Sequence, residues 1–280
     1  MNASTHTPAI TTDATTSRRA RVYRTEAVVL RRQDHGETDR LLTVFTPMHG
    51  KRVLRAKGVR KPTSRKTGHL ELFAHSLLLV AKGHTWDLIT QAELIHPFPQ
   101  IHEDMLRANY AYYVAELVDR FTTEHDENRL LFDLLVATLQ RLDSMPKLDV
   151  TLRFFELRLL NLVGYQPQLY HCVNCSDELQ PVTNFWNHVG GGVLCPRCGE
   201  ALAGSEELPL AVFKLLRFVQ RSDFDAVLAL APSEALMIQT ELLLQRYLMA
   251  LLERNLKSVD FLRRMRYQAT QPKPDRLETE

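Results

Sequence analysis

The N-terminal part of the chain alternates short apolar runs with glycine-containing turns. One such run, RLLTVFT at residues 40–46, lies between the turns at Gly36 and Gly50. Short runs rich in Val, Leu, Phe and Thr that are broken by glycine are typical of antiparallel strands. About five such strands follow one another over residues 23–94 with no helical period. The pattern predicts a small closed barrel of the OB type.

Beyond residue 98 the apolar positions recur every three and four residues, which predicts amphipathic helices. The stripes of the first three helices are Leu106, Tyr110, Tyr113, Leu117 and Phe121, then Leu131, Leu135, Leu139 and Leu142, then Leu152, Phe155, Leu159 and Leu162. Three such helices in a row bury their stripes against one another. Helical spacing resumes after a cysteine-containing segment, at residues 208–220 and 233–256.

Together with two CxxC motifs at residues 172–198, these patterns predict an α+β, multi-domain protein with a five-stranded OB-type β-barrel followed by an α-helical domain that contains an inserted four-cysteine zinc finger. The predicted bounds are a disordered lead-in at 1–20, the barrel at 21–97, the helical domain at 98–265 with the zinc finger at 166–204, and a flexible tail at 266–280.

Two features of the termini and apolar runs bear on location. The lead-in has an alternative interpretation as a mitochondrial transit peptide, because SRRAR follows at residues 17–21, although no amphipathic helix precedes it. No apolar run approaches the roughly 20 residues that cross a bilayer, and the lead-in lacks a secretory apolar core. We therefore expect a cytoplasmic protein without membrane contact.

All four cysteines lie in two CxxC pairs. Cys172 and Cys175 form the first pair, Cys195 and Cys198 form the second, and nineteen residues separate them. Two facing CxxC pairs at this spacing present four thiolates in the tetrahedral arrangement that zinc favours. Because four protein ligands leave no position for a reactive water, the sequence predicts one structural Zn²⁺ per chain.

Two alternatives for the cysteines stay open, namely redox-active pairs and cysteines that bind no metal. A redox pair needs a strand-to-helix setting, and neither pair shows one without an intervening Gly or Pro. We expect His171 and His188 to be ordinary polar residues rather than ligands. Pro196 is expected to fix the second turn, and Gly199 to supply a positive φ there.

The net charge of +2 conceals a strong asymmetry. Residues 18–68 contain fifteen Lys/Arg against four Asp/Glu, a balance of +11, so the remainder carries −9. Eight of these cations fall within residues 51–66 with no acid among them. Because like charges at such density repel one another, the pattern predicts a polyanionic partner, above all nucleic acid.

The predicted DNA-binding residues combine this stretch with three preceding arginines. They are Arg31, Arg32, Arg40, Lys51, Arg52, Arg55, Lys57, Arg60, Lys61, Arg65 and Lys66. Barrels of the OB type bind single strands by stacking bases on aromatic rings while cations follow the backbone. Phe45, Phe73 and Trp86 are candidates for stacking and, equally, for filling the barrel core.

A carboxylate pair at the first turn invites an acid–base or Mg²⁺ interpretation. Glu37 and Asp39 lie beside Arg40. No nucleophile, second ligand cluster or GxxxxGK[ST] loop accompanies them. We therefore expect a charge cluster that stabilises the turn, and no catalytic residues.

Three motifs occur in order along the chain: the E-x-D-R turn at residues 37–40, AKGVRK at 56–61, and LVGYQP at 162–167 just before the first CxxC pair. Together they resemble the RecO family of bacterial recombination mediators over residues 21–256. The resemblance implies an OB fold that binds single- and double-stranded DNA and no enzymatic active site. It also implies strand annealing, contact with the C-terminal tail of the single-stranded DNA-binding protein SSB, pairing with the clamp protein RecR, and indirect help in loading RecA.

Two other functions are alternatives to this one. A zinc-ribbon module that regulates transcription or binds RNA would need a basic recognition helix, and the sequence shows none. A metal-dependent nuclease is disfavoured because the four cysteines leave no open metal position and the carboxylates form no second cluster.

Overall fold

The computed structural model describes residues 21–253, 256 and 258–259. The expectations for the lead-in at 1–20 and the tail at 266–280 fall outside these residues. Five strands form a closed barrel in the order β1-β2-β3-β5-β4. They are β1 (Val22–His35), β2 (Asp39–Thr46), β3 (Gly50–Ala56), β4 (His75–Ala81) and β5 (Asp87–His96). The prediction of an OB-type barrel is confirmed.

One strand pair differs from the all-antiparallel prediction. β3 and β5 pair in parallel, with Leu54 opposite Asp87 and Arg55 opposite Leu88. The segment between β3 and β5 includes β4, and the parallel contact of β5 with β3 closes the barrel. Closure removes the exposed strand edges that would otherwise be left without partners.

The barrel interior is filled by alternating apolar side chains. Val44 and Leu54 are fully buried inside the barrel, as a period-2 pattern requires, whereas Phe45 lies on the opposite face of β2 and is buried near Phe132 of the helical domain. β1 instead buries the whole run Ala27–Leu30, because α2 (Met105–Phe121) covers the outer face of the strand there. At Gly50 an added Cβ would lie 2.1 Å from the Asp126 carbonyl oxygen, so only glycine allows this contact with the helical domain.

Seven further helices complete the C-terminal part within the described residues. They are α1 (Pro99–Glu103), α3 (Arg129–Ser144), α4 (Leu148–Leu162), α5 (Pro196–Ala201), α6 (Leu210–Arg221), α7 (Phe224–Leu230) and α8 (Glu234–Leu252). Several begin at a residue whose side chain accepts a hydrogen bond from the first turn: Asp104 for α2, Asn128 for α3, Asp223 for α7 and Ser233 for α8. None of the described helices is long and apolar enough to cross a membrane.

The predicted helical stripes are confirmed for α3 and corrected for the other two helices. All four stripe leucines of α3 are buried. In α2 the stripe buries Tyr110, Tyr113 and Leu117, whereas Leu106 stays 40% exposed at the first turn. α4 is buried on all sides rather than along one stripe, because α2, α3, α6, α7 and α8 surround it.

A buried ionic cluster joins the helices around α4. Arg153 Nε lies 2.7 Å from Glu156 Oε2, and Arg153 Nη1 lies 3.5 Å from Glu241 Oε2 on α8. Tyr113 of α2 donates a 2.6 Å hydrogen bond to Glu156, and Gln245 donates one of 2.8 Å to Glu241. The Arg153 guanidinium therefore forms ion pairs with two carboxylates in the core, those of Glu156 and Glu241.

The cysteine segment forms a small unit of its own. Its sheet has the order β7-β6-β8, with β6 (Asn184–Asn187), β7 (Gly192–Leu194) and β8 (Glu206–Leu208). The unit packs on α8 through Trp186, whose ring lies 5.3 Å from that of Tyr247. Tyr247 also donates a hydrogen bond to the Tyr165 carbonyl, which ties α8 to the chain that enters the unit.

Candidate nucleic-acid interface and metal centre

The segment of residues 57–66, called the basic loop below, is anchored by one buried carboxylate. Asp39, at the start of β2, accepts a 2.7 Å hydrogen bond from the Gly58 amide and lies 2.7 Å from an Arg55 nitrogen. The Arg60 amide donates to the Thr38 carbonyl at 2.9 Å. The Gly58 hydrogen bond, helped by Arg55 and opposed by burial, lowers the pKa of Asp39 to about 2. The loop is therefore held against the β1–β2 turn by an ionised group.

The expected charge cluster at the first turn is thus confirmed for Asp39. Arg40 takes part through a different residue, since its Nε lies 3.1 Å from Asp34. Glu37 is exposed and forms no ion pair among the residues that the structure describes. The turn holds the loop in place through Asp39, whose carboxylate binds the Gly58 amide and the Arg55 guanidinium group.

Six of the eleven predicted DNA-binding cations are paired with carboxylates of the same chain. The pairs are Arg32–Glu71, Arg40–Asp34, Lys51–Asp119, Arg52–Asp87, Arg55–Asp39 and Arg60–Asp34. The inference that all eight cations of residues 51–66 require an external anion is wrong for the four that belong to these pairs. Their partners are distant in sequence, and the fold brings them together.

The other five cations have no carboxylate partner within the described part of the chain. Lys57, Lys61 and Arg65 are exposed on the basic loop. Lys66 is half-buried and donates from Nζ to the carbonyls of Lys57 and Ile89 at 3.2 and 3.1 Å, and burial lowers the pKa of its ammonium group. The uncompensated positive charge is therefore concentrated on the basic loop.

The fifth cation, Arg31, lies apart from the loop. It is exposed on β1 and donates to the Thr43 hydroxyl at 3.3 Å. It lines a cleft of about 820 Å³ between the barrel and α2, which Lys51 also lines. Arg31 thus extends the cationic surface toward the helical domain.

The three candidate aromatic residues occupy different environments. Phe45 and Phe73 are 0% and 2% exposed, so both belong to the core and neither is available for stacking. Trp86 is half-buried in the turn before β5 and packs edge-on against His35, with 5.1 Å between the ring centroids. His35 was missed from the sequence, although its place directly before the Gly36 turn puts it at the end of β1.

The four cysteines come together in one cluster. Their sulfur atoms all lie within 4.8 Å of one another, and Cys175 and Cys195 are 3.8 Å apart. These thiols are free, at a separation well beyond the roughly 2.05 Å of a disulfide. Cys195 follows β7 and Pro196 begins α5, so the second pair joins a strand to a helix with a proline between its two cysteines, in agreement with the expectation from sequence.

Backbone geometry around the pairs corrects one detail. Gly199 lies inside α5 and is not among the residues with positive φ. Only glycine fits at this position, because a Cβ there would lie 2.2 Å from the Phe185 ring. The positive φ occurs instead at Ser176, directly after the first pair, with φ 63°.

The surroundings of the cluster suit metal-binding thiolates. The Cys195 amide and the Asn174 side chain donate to Cys172 Sγ and Cys198 Sγ, each at 3.3 Å. Burial raises the pKa of Cys172, but backbone amides of Cys175, Cys195 and Asn174 lower it further, to about 6. Burial and hydrogen bonds with neighbouring thiols raise the pKa of Cys195. A backbone amide lowers the pKa of Cys175, but burial and side-chain hydrogen bonds, including those with neighbouring thiols, raise it further, to about 12, so Cys172 ionises before these two thiols. Thiolates with N–H···S hydrogen bonds are the donors that soft metals favour.

The neighbouring histidines stand outside this cluster, as the sequence predicted. His188 Nε2 lies 3.1 Å from Glu206 on β8, and His171 pairs through its backbone with Glu178. The metal-binding group found among the described residues consists of the four cysteines alone. The chain therefore has a four-cysteine site that can hold a metal ion.

A closed OB-type barrel with an exposed basic loop, joined to a helical domain with a four-cysteine site, defines a two-part architecture. The family model described as recombination protein O N terminal matches residues 21–98, and the one described as recombination protein O C terminal matches residues 102–260. The chain belongs to the RecO family of DNA repair proteins, as its motifs predicted.

Individual relatives agree with this assignment. The DNA repair protein RecO of Roseiflexus sp. (strain RS-1) is 44% identical over 244 residues, which cover 87% of this chain and 86% of the relative. That of Dehalococcoides mccartyi (strain BAV1) is 34% identical, with 87% and 96% covered. That of Pelotomaculum thermopropionicum is 36% identical, with 87% and 94% covered.

Proposed function

We propose that this protein is a non-enzymatic, DNA-binding recombination mediator. It anneals complementary single strands and, with a RecR-type clamp, promotes the loading of RecA onto SSB-coated single-stranded DNA. Membership of the RecO family supports a role in DNA repair and recombination. The observation that carries the DNA-binding step is the basic loop, where Lys57, Lys61 and Arg65 are exposed and lack carboxylate partners in the described chain.

The proposed mechanism is charge neutralisation. Two complementary strands repel each other through their phosphates, and lysine and arginine side chains reduce this repulsion while the base edges stay free to pair. Both single- and double-stranded DNA carry the phosphates that such a surface recognises. No covalent bond changes, so the proposal requires no catalytic residue.

The way the loop is held favours binding. Asp39 and the Thr38 carbonyl fix the backbone of the loop at Gly58 and Arg60, and Lys66 fixes its other end to β5 through the Ile89 carbonyl. A loop that is ordered before binding loses less conformational entropy when it meets DNA. The three exposed cations are thus presented from a pre-formed surface.

The charge inventory sets the expected salt dependence. Five of the predicted cations are free of carboxylates in the described structure: Arg31, Lys57, Lys61, Arg65 and Lys66. If each contacts one phosphate, log affinity falls with log salt at a slope of roughly −3.5 for single strands and −4.5 for duplex DNA.

For the four-cysteine site we propose one structural Zn²⁺ per chain. All four sulfurs would bind the ion, which would supply a cross-link between the loop after Tyr170 and the start of α5. A closed set of four thiolates leaves no position for substrate or water, so the ion would contribute folding energy and no chemistry. The unit would then hold Trp186 against α8.

A groove on the helical domain is our candidate site for the SSB tail. It measures about 700 Å³, and its lining combines apolar side chains such as Leu215 and Phe218 with the cations Lys214, Arg217 and Arg221. Such a lining suits a peptide that carries both acidic and apolar residues. A labelled tail peptide should lose affinity for K214E/R217E at least tenfold, and unchanged affinity would place the contact elsewhere.

Strand annealing tests the proposed function. Complementary oligonucleotides, bare and precoated with SSB, are mixed with the wild type, with K57E/K61E/R65E, and with R129E/K147E/R246E as a control from exposed helical-domain positions. The wild type and the control should anneal bare strands, and the loop variant should not. Annealing by the loop variant would overturn the assignment of the loop, and strand cleavage by the wild type would overturn the non-enzymatic function.

A further inference from the structure

We infer that Trp86, supported by His35, stacks an unpaired base and so makes the barrel favour single strands over duplex DNA. This deepens the proposed function and rests on it, because the basic loop must first hold the phosphates. Charge alone would favour duplex DNA, which carries the denser charge. A stacking residue would add a preference for unpaired bases, which cations alone do not provide.

Trp86 is placed at the surface where a ring can meet a base. It lies in the turn between β4 and β5, one residue before Asp87, and is only half-buried. The His35 ring supports one edge, with an interplanar angle of 74°, so the indole is held in one orientation. The other tryptophan of the chain, Trp186, is 0% exposed.

The indole lies at the same end of the barrel as the basic loop. Lys66 donates to the carbonyl of Ile89, three residues after Trp86 and thus about 10 Å away along an extended strand. On the other side, His35 stands opposite Asp39 across β1 and β2, and Asp39 anchors the loop at Gly58. A strand whose phosphates follow the loop can therefore bring a base to the indole.

The physical distinction between single and double strands follows from stacking. A base in a duplex is already covered on both faces by its neighbours, whereas an unpaired base can exchange solvent for the indole. Removing such a ring costs about 1–3 kcal/mol per base, which corresponds to a loss in affinity of roughly 5- to 150-fold. The loss should fall on single strands, and the salt slope should not change because stacking releases no counterions.

Tryptophan fluorescence gives a direct readout, because the chain has two tryptophans and one is fully buried. Oligodeoxythymidylate is titrated into the wild type, Trp86→Phe and Trp86→Ala, and binding of the same strand and of a duplex is measured by anisotropy. Thermal unfolding of each variant is recorded alongside. The phenyl ring of Trp86→Phe can still stack, and its remaining emission comes from Trp186.

The inference predicts that the single strand quenches the wild type and that Trp86→Phe loses this quenching but keeps most of its affinity. Trp86→Ala should lose at least fivefold in affinity for the single strand and less than twofold for the duplex. Equal losses for both, or quenching that persists in Trp86→Phe, would overturn the inference and leave the proposed function standing. A wild type that binds neither DNA would overturn both.

Discussion

Removal of the Arg153 guanidinium from the buried ionic cluster should strongly destabilise the helical domain. Arg153 is 2% exposed and Glu156 is 0% exposed, and Arg153 also serves Glu241. Arg153→Met would take from both buried carboxylates the guanidinium group that Arg153 supplies. Breaking a buried pair in this way costs about 3–5 kcal/mol. With roughly 2–4 °C lost per kcal/mol in a protein of this size class, the melting temperature should fall by roughly 6–20 °C.

A second variant separates the charge effect from packing. R153M/E156Q/E241Q removes all three charges but keeps amide oxygens that can accept from Tyr113 and Gln245, so no buried carboxylate loses its cation and no buried donor loses its acceptor. Its unfolding free energy, from urea denaturation followed by circular dichroism, should recover most of the loss. A loss below about 1 kcal/mol for Arg153→Met would contradict the role assigned to the cluster.

The same cluster predicts a pH dependence of stability. Burial, opposed by Arg153 and Tyr113, raises the pKa of Glu156 from 4.5 to about 7. Between these values the folded chain holds a proton that the unfolded chain has lost, so stability should fall as pH rises from about 4.5 to 7 and level off above. Glu156→Gln should show a smaller dependence over this range, measured by urea denaturation at several pH values. An identical slope in this variant would refute the assignment to Glu156.

Two further predictions concern the metal centre and the anchor of the basic loop. Cys172→Ser should reduce bound zinc from about one per chain to near zero by elemental analysis and lower the helical signal; retention of full stability without zinc would argue against a structural ion. Asp39→Ala should cost about 1–3 kcal/mol and speed tryptic cleavage within residues 57–66, because the Gly58 amide and Arg55 lose their acceptor. Since the pKa of Asp39 is lowered from 3.8 to about 2, its contribution to the unfolding free energy should be present above pH 4 and lost as pH falls through 2. Tryptic cleavage of Asp39→Ala at the wild-type rate would contradict the role of Asp39 as an anchor.

The sequence was sufficient for the elements whose pattern is local. The leucine stripe of α3 follows directly from its one buried face, whereas β2 is buried on both faces over residues 42–46 and does not alternate there. The short α7 was missed because its seven residues span barely two helical turns, too few for a clear period. The strands β6 to β8, of three or four residues, are shorter still, too short to show an alternating hydrophobic pattern.

The charge partners could not be predicted because they are set by tertiary contacts. Lys51 meets Asp119, and Arg52 meets Asp87, across separations that no local pattern reveals. From the sequence alone, all eight cations of residues 51–66 therefore lacked an anionic partner. In the described structure, the cations without a carboxylate partner lie mainly on the basic loop. In the same way, the apolar stripe of α4 gave no sign that Arg153 on another face is also buried.

The central claim, that the free cations of the basic loop bind DNA phosphates, is tested most directly by a salt series. Affinity for a bare single strand is measured by anisotropy for the wild type, K57Q/K61Q/R65Q, and the control R129Q/K147Q/R246Q. Removal of three phosphate contacts should make the slope of log affinity against log salt shallower by about 2, while the control keeps the wild-type slope. A loop variant that keeps the wild-type slope and affinity would contradict the account.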